Sequence, residues 1–167
     1  METRSLMAPP ANLEQLLEPR VYPGMIAAES RVLRAWLALH GAAYDEILFE
    51  TRVGVGAQLP ASVPERDRQW WAERTKLRPD VICWRAPNVA DIVEVKETAD
   101  NSAIWQVLSY RDAYVAAFPD RHTRPLIVCS AITDQARQVA IGQRITVHVM
   151  RFRSADLLAP ADEPATS

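Results

Sequence analysis

Two apolar runs that stand four residues apart constrain this chain most: PDVICWR over 79–85 and ADIVEVKE over 90–97, joined by APNV. β-Branched and aromatic residues dominate both, and Pro87 and Asn88 between them are turn formers, so the pattern predicts a β-hairpin. Side chains alternate along a strand with a period of two. Glu94 and Lys96 therefore share one face, Val93 and Val95 take the other, and the hairpin brings Asp80 alongside the charged pair. Ions withdrawn from water need partners. Two carboxylates and a lysine gathered in this way make sense if a divalent cation is the missing partner.

The flanking sequence extends the hairpin into an α/β fold. AAESRVLRAWLALH over 27–40 places Val32, Leu33, Trp36, Leu37 and Leu39 at helical spacing, with Gly41 as the candidate C-cap. EILFETRVG reads as a strand ending at the Gly54–Gly56 turn, and Pro60 and Pro64 bracket a loop. PERDRQWWAERTK reads as a short helix or an ordered loop. Asn101–Ala117 has helical character and stops before Pro119, RPLIVCSAI is a buried strand, Asp134–Gly142 a short helix, and RITVHVMRF a last strand. The order αβ(α)ββαβαβ predicts a mixed central sheet flanked by helices.

With 167 residues, 49% hydrophobic and 24% charged, the chain reads as one domain. A fold of this size buries about 70% of its unfolded surface, so neither disulfides nor a structural metal are required. The expected division is an irregular N-terminal arm over 1–24 with a helical piece near Leu13–Leu17, a domain over 25–153, and a disordered acidic tail over 154–167. Cys83 and Cys129 lie in apolar runs and read as buried reduced thiols, a disulfide between them being the weaker alternative. No signal peptide or membrane span is legible, and the expected compartment is the cytoplasm. The formal charge of −2 argues against a dedicated nucleic-acid coat, yet residues 121–153 alone carry +5 and residues 154–167 carry −3. Local basic surface is therefore compatible with a near-neutral total.

The spacing P79-D80, thirteen residues, E94-V95-K96 resembles the PD-(D/E)XK nuclease superfamily. Two further features strengthen the likeness. Glu29 lies in the helix ESRVLRAWLALHG, similar to the first helix of Holliday-junction-resolvase-like members, and Gln106 and Tyr110 form Q-x-x-x-Y after the E-x-K strand, as in the RecB-like branch. The resemblance covers roughly residues 27–152 and implies a restriction-endonuclease-like αβββαβ core. It also implies a Mg²⁺- or Mn²⁺-dependent deoxyribonuclease that leaves a 5′-phosphate and a 3′-hydroxyl. Asp80, Glu94, the Val95 carbonyl and Glu29 would then hold metal. Lys96 would position water and stabilise the transition state, with Gln106 and Tyr110 orienting substrate or Lys96. The stretch before Asp80 is longer than in compact resolvases.

Each of these residues has a plainer reading. Asp80 alternatively caps a turn after Pro79, Glu94 and Lys96 alternatively form a solvated strand face, Glu29 suits a helix dipole without any metal, and Gln106 and Tyr110 suit ordinary helix surface. Trp70, Arg74, Lys76, Arg78 and Arg111 are the candidate DNA contacts, by phosphate pairing and base stacking. One tryptophan covering core is the alternative there. A homodimer or a larger DNA-processing assembly is the expected context. The competing function is a catalytically silent module of the same fold in a DNA-handling or phage complex.

Overall fold

The computed structural model describes residues 13–18 and 20–152; the expected tail over 154–167 and the first twelve residues of the arm lie outside them. The elements are α1 (Leu13–Leu17), α2 (Ala27–His40), a short 3-10 turn (Gly41–Ala43), β1 (Glu46–Phe49), α3 (Glu65–Thr75), β2 (Val81–Arg85), β3 (Val89–Ala99), α4 (Asn101–Ala117), β4 (His122–Ile132), α5 (Asp134–Gly142) and β5 (Thr146–Val149). The five strands form one sheet in sequence order. β1, β2 and β3 pair antiparallel, and β3, β4 and β5 pair parallel. Parallel neighbours need a crossover, and α4 and α5 supply the two.

Alternation on the strands divides the core between two faces. Val81, Cys83, Val93, Val95, Leu126 and Val128 pack with Val32, Leu33, Trp36 and Leu37 of α2. Ile127 and Cys129 pack with Ile104, Val107 and Leu108 of α4 and with Ala136 and Ala140 of α5. Ile82, Ala90 and Ile92 meet Tyr114 on the same side. Both cysteines are buried and unpaired. Helix α4 is capped by Asp100, whose carboxylate accepts from the Ser102 and Ala103 N–H groups, and Thr133 caps α5 through the Ala136 N–H.

The structure corrects several boundaries. β1 stops at Phe49 rather than running to the glycine turn, because Glu50 adopts a positive φ of 51° and turns the chain away. The last strand is four residues long, and Leu39 in the last turn of α2 is 71% exposed instead of joining the core. Gly41 ends α2 in right-handed conformation, so left-handed capping does not explain it. A Cβ there would stand 2.6 Å from Leu13 Cδ1, which ties α1 to α2. Residues 65–75 are helical, yet α3 buries none of its side chains. Among the described residues, no helix is long and apolar enough to cross a membrane.

α3 is held by backbone contacts instead. Arg52 donates to the Glu73 carbonyl, the Ala57 N–H donates to Thr75 Oγ1, and Val53 and Leu77 exchange both backbone hydrogen bonds. Gly56, at φ +70°, lies so close that a Cβ would fall 1.8 Å from the Ala72 carbonyl oxygen. Gly56→Ala is expected to lower stability by about 1–3 kcal/mol, read as a lower urea midpoint, since both the conformation and the contact resist a side chain.

Candidate active site

β3 has eleven residues and β2 five, so the two part company at one end of the sheet. Their register ends at Val81 opposite Val93, whereas β3 stays paired with β4 through Ala99. Beyond Val93 the β2 side of β3 would be left without a backbone acceptor. Asp80 supplies one: its Oδ2 accepts the Val95 N–H at 2.8 Å. The side chain that follows Pro79 thus extends the ladder by one bond and is held against Glu94.

Glu94 lies between two apolar valines and is 1% exposed. Its Oε1 meets Lys96 Nζ at 2.7 Å, while Oε2 is buried with no hydrogen-bond partner among the described residues. Lys96 Nζ also stands 3.8 Å from Glu29 Oε1. Glu29 serves the helix as well, because its Oε2 accepts the Ile26 N–H at 3.3 Å. The helix-end reading and the site reading of Glu29 therefore hold together, one oxygen for each.

These neighbours shift one another's protonation. Burial, then the Asp80 charge, pushes Glu94 up to about 8 against the pull of Lys96. Asp80 is raised by burial, opposed by the Val95 N–H and Lys96. Burial works against the Lys96 charge, but the Glu94 hydrogen bond and the surrounding carboxylates outweigh it and raise the ammonium further. Lys96 is therefore a cation at neutral pH. Tyr110 is pushed up to about 12, by burial first and then by the charges of Glu94 and Asp80, and stays protonated at neutral pH.

A cavity of about 190 Å³ opens on Asp80 and is lined by Pro23, Gly24, Glu50, Arg78, Pro79 and Tyr110. Glu50 was not legible as a site residue; the only signal was an acid directly after a short apolar strand. It pairs with Arg78 at 3.1 Å across the mouth. Gln106, one turn before Tyr110, is half-buried and makes no hydrogen bond to this group. The Val95 backbone enters through its N–H, which Asp80 occupies.

Trp70 and Trp71 are 57% and 40% exposed, and the Arg74 guanidinium lies 4.9 Å over the Trp70 ring. The other candidate DNA contacts already hold acids: Lys76 meets Glu73 at 2.6 Å and Arg111 meets Asp112 at 2.6 Å. Exposed pairs of this kind are worth at most about 1 kcal/mol, so a phosphate can displace the acid at little cost.

Among the described residues, no three His, Cys, Asp or Glu side chains are grouped to hold a metal ion. The residues present nonetheless fit a cation that brings its own water. Mg²⁺ commonly takes one or two carboxylates and keeps several waters, and here two hard-oxygen donors adjoin, one with a buried oxygen left unpartnered.

No family model and no curated protein matches the chain. A solved structure described as a repair endonuclease from Pyrococcus abyssi matches 80% of this chain and 50% of its own, with a TM-score of 0.50 and 14% identity. The fold is shared with a repair endonuclease. EndoMS in its apo form also matches, at 17% identity and a TM-score of 0.36, over 44% of this chain and 33% of that one. The chain thus spans half the length of the first protein and a third of the second.

Glu94 gives a direct test of the site's electrostatics. Its folded pKa lies above the ordinary value of 4.5, so the folded state holds a proton that the unfolded chain loses, and stability falls as pH rises from about 4.5 through about 8. With a chelator present, Glu94→Gln is expected to be the more stable protein at pH 8, by about 2 kcal/mol, with the difference vanishing towards pH 4.5. Urea denaturation across that range checks it.

Proposed function

We propose that the protein is a metal-dependent nuclease that hydrolyses phosphodiester bonds in DNA. The reading is carried by one observation: Asp80, Glu94 and Lys96 converge where β2 and β3 separate, with a buried Glu94 oxygen that has no hydrogen-bond partner among the described residues. The shared fold supports it, as does the order of the same three residues along the chain. The cytoplasm, where DNA is at hand, is the compartment that goes with this reading.

Asp80 and Glu94 would hold Mg²⁺ or Mn²⁺. Bound there, the ion supplies Lewis-acid polarisation of the phosphate and acidifies water. Lys96, fixed between Glu94 and Glu29 and kept protonated by them, hydrogen-bonds the attacking water and offsets the negative charge that grows on the phosphoryl oxygens. Its raised pKa suits an electrostatic donor better than a base. Tyr110, protonated and beside the cavity that opens on Asp80, donates a hydrogen bond to a non-bridging or leaving oxygen. Glu29 positions Lys96 through its Oε1. Outside the cavity, the exposed indoles of α3 offer stacking surfaces to unpaired bases.

The test is cleavage of plasmid, linear and branched DNA in Mg²⁺ or Mn²⁺. The wild type is expected to cut at least one of these, and Asp80→Ala and Lys96→Ala to cut at least about 100-fold more slowly. Equal inertness of all three proteins across the substrates would sink the enzyme and leave the silent module.

Trp70→Ala and Trp71→Ala together are expected to weaken single-stranded DNA binding by about tenfold or more, at 1–3 kcal/mol per stacked base. Fluorescence anisotropy at two salt concentrations measures this. Unchanged affinity would remove α3 from the interface.

A further inference from the structure

A second polar cavity, of about 240 Å³, lies on the α2 side of the sheet and is walled by His40, Tyr44, Arg85, Asp91, Arg124 and His148. It is distinct from the Asp80 cavity. Asp91 and Glu94 are about 10 Å apart along β3 and face opposite sides. Glu29 and His40 stand at opposite ends of α2, about 16 Å apart at the rise of a helix.

The polar part of the wall is rich in donors, beside the apolar Ala43, Pro125 and Leu126. Asp91 is 3% exposed and its oxygens are taken, by the Tyr44 hydroxyl at 2.7 Å and by Arg124 Nε and Nη2 at 2.6 Å each. Arg124 Nη1 remains without an acceptor among the described residues. The Trp36 indole N–H donates to His148 Nδ1 at 2.7 Å, so the neutral imidazole must carry its proton on Nε2 and present a donor. The His40 ring stacks on it at 4.8 Å.

Arg85 is the decisive residue. Its guanidinium lies 4.9 Å over the Tyr44 ring, yet it makes no hydrogen bond and no ion pair with any described residue, and its Nε is closed to solvent. A shielded cationic donor without an acceptor is costly. Two guanidiniums against one saturated carboxylate leave the wall net positive, which at contact distance outweighs the half negative charge of the α2 C-terminus. The fork of a guanidinium matches paired phosphate oxygens. The volume falls below the roughly 300–1,000 Å³ of pockets for drug-sized ligands, which limits the occupant to a small group.

We propose that this cavity binds a phosphate anion, either inorganic phosphate or the terminal monoester of a nucleic-acid strand. The proposal does not rest on the nuclease reading, and its test is made without metal or cleavage. Full-length wild type, Arg85→Gln, Arg85→Lys and Asp80→Asn are titrated calorimetrically with inorganic phosphate at fixed ionic strength in EDTA. Saturable binding is expected to the wild type and equally to Asp80→Asn. Arg85→Gln is expected to bind at least about tenfold more weakly, the loss of one charge-assisted pair, with Arg85→Lys between them. Phosphate is also expected to shift the His148 Nε2 proton resonance of the wild type, a readout that needs no variant.

Competition by a 5′-phosphorylated but not a 5′-hydroxyl oligonucleotide assigns the site to a strand end, and competition by neither assigns it to the free anion. The absence of saturable binding, equal affinity in wild type and Arg85→Gln, loss in Asp80→Asn, or equal competition by both oligonucleotides overturns the proposal.

Discussion

A single hydrogen bond, from the Val95 N–H to the Asp80 carboxylate, sets the geometry of the carboxylate end of the sheet. β3 outruns β2, and a backbone donor stranded in the interior would cost about 1–3 kcal/mol. Using a side chain as the acceptor ends β2 without that penalty, and it also fixes a carboxylate next to Glu94. The same strand stays paired with β4 past Glu94 and Lys96, while the neighbouring strand departs. The opening between strands and the charge cluster inside it are one feature, produced by unequal strand lengths.

The charge cluster is an unstable arrangement for a protein on its own. Three carboxylates and one ammonium lie within mutual influence, and Glu94 keeps its proton well above the usual carboxylate range. Packing alone does not call for such a group at the end of an apolar strand. A chain that carries it accepts a strained local electrostatic state, as functional sites commonly do. The near-neutral total charge agrees with this picture, since the candidate DNA contacts Lys76, Arg78 and Arg111 each hold an acid of their own.

Alternation and helical spacing made much of this legible. The hairpin, the facing of Glu94 opposite Val93 and Val95 and the approach of Asp80 could be read from periodicity and turn chemistry. Turn residues were also readable as turns. What could not be read depended on long-range contact. Glu50 joins the mouth because its backbone takes a left-handed turn, and Gly41 is small because Leu13 lies against it, neither of which a local window records. The wall around Arg85 is the strongest case: it assembles α2, β2, β3, β4 and β5 from residues spread over a hundred positions, none of which forms a motif. His40 and His148 had no significant spacing in sequence, yet their rings stack.

The attachment of α3 has a consequence for how such a protein can change over time. The helix contributes no buried side chain, and its tethers run through main chain, the Thr75 hydroxyl at its last residue and the residues that flank it. Substitutions at its outward positions are therefore close to neutral for folding. The surface that would meet a substrate can drift in sequence while the sheet end that would carry out the reaction stays fixed. If the chain is a nuclease, preference for one nucleic-acid shape over another would then be separable, in inheritance as in space, from the machinery behind it.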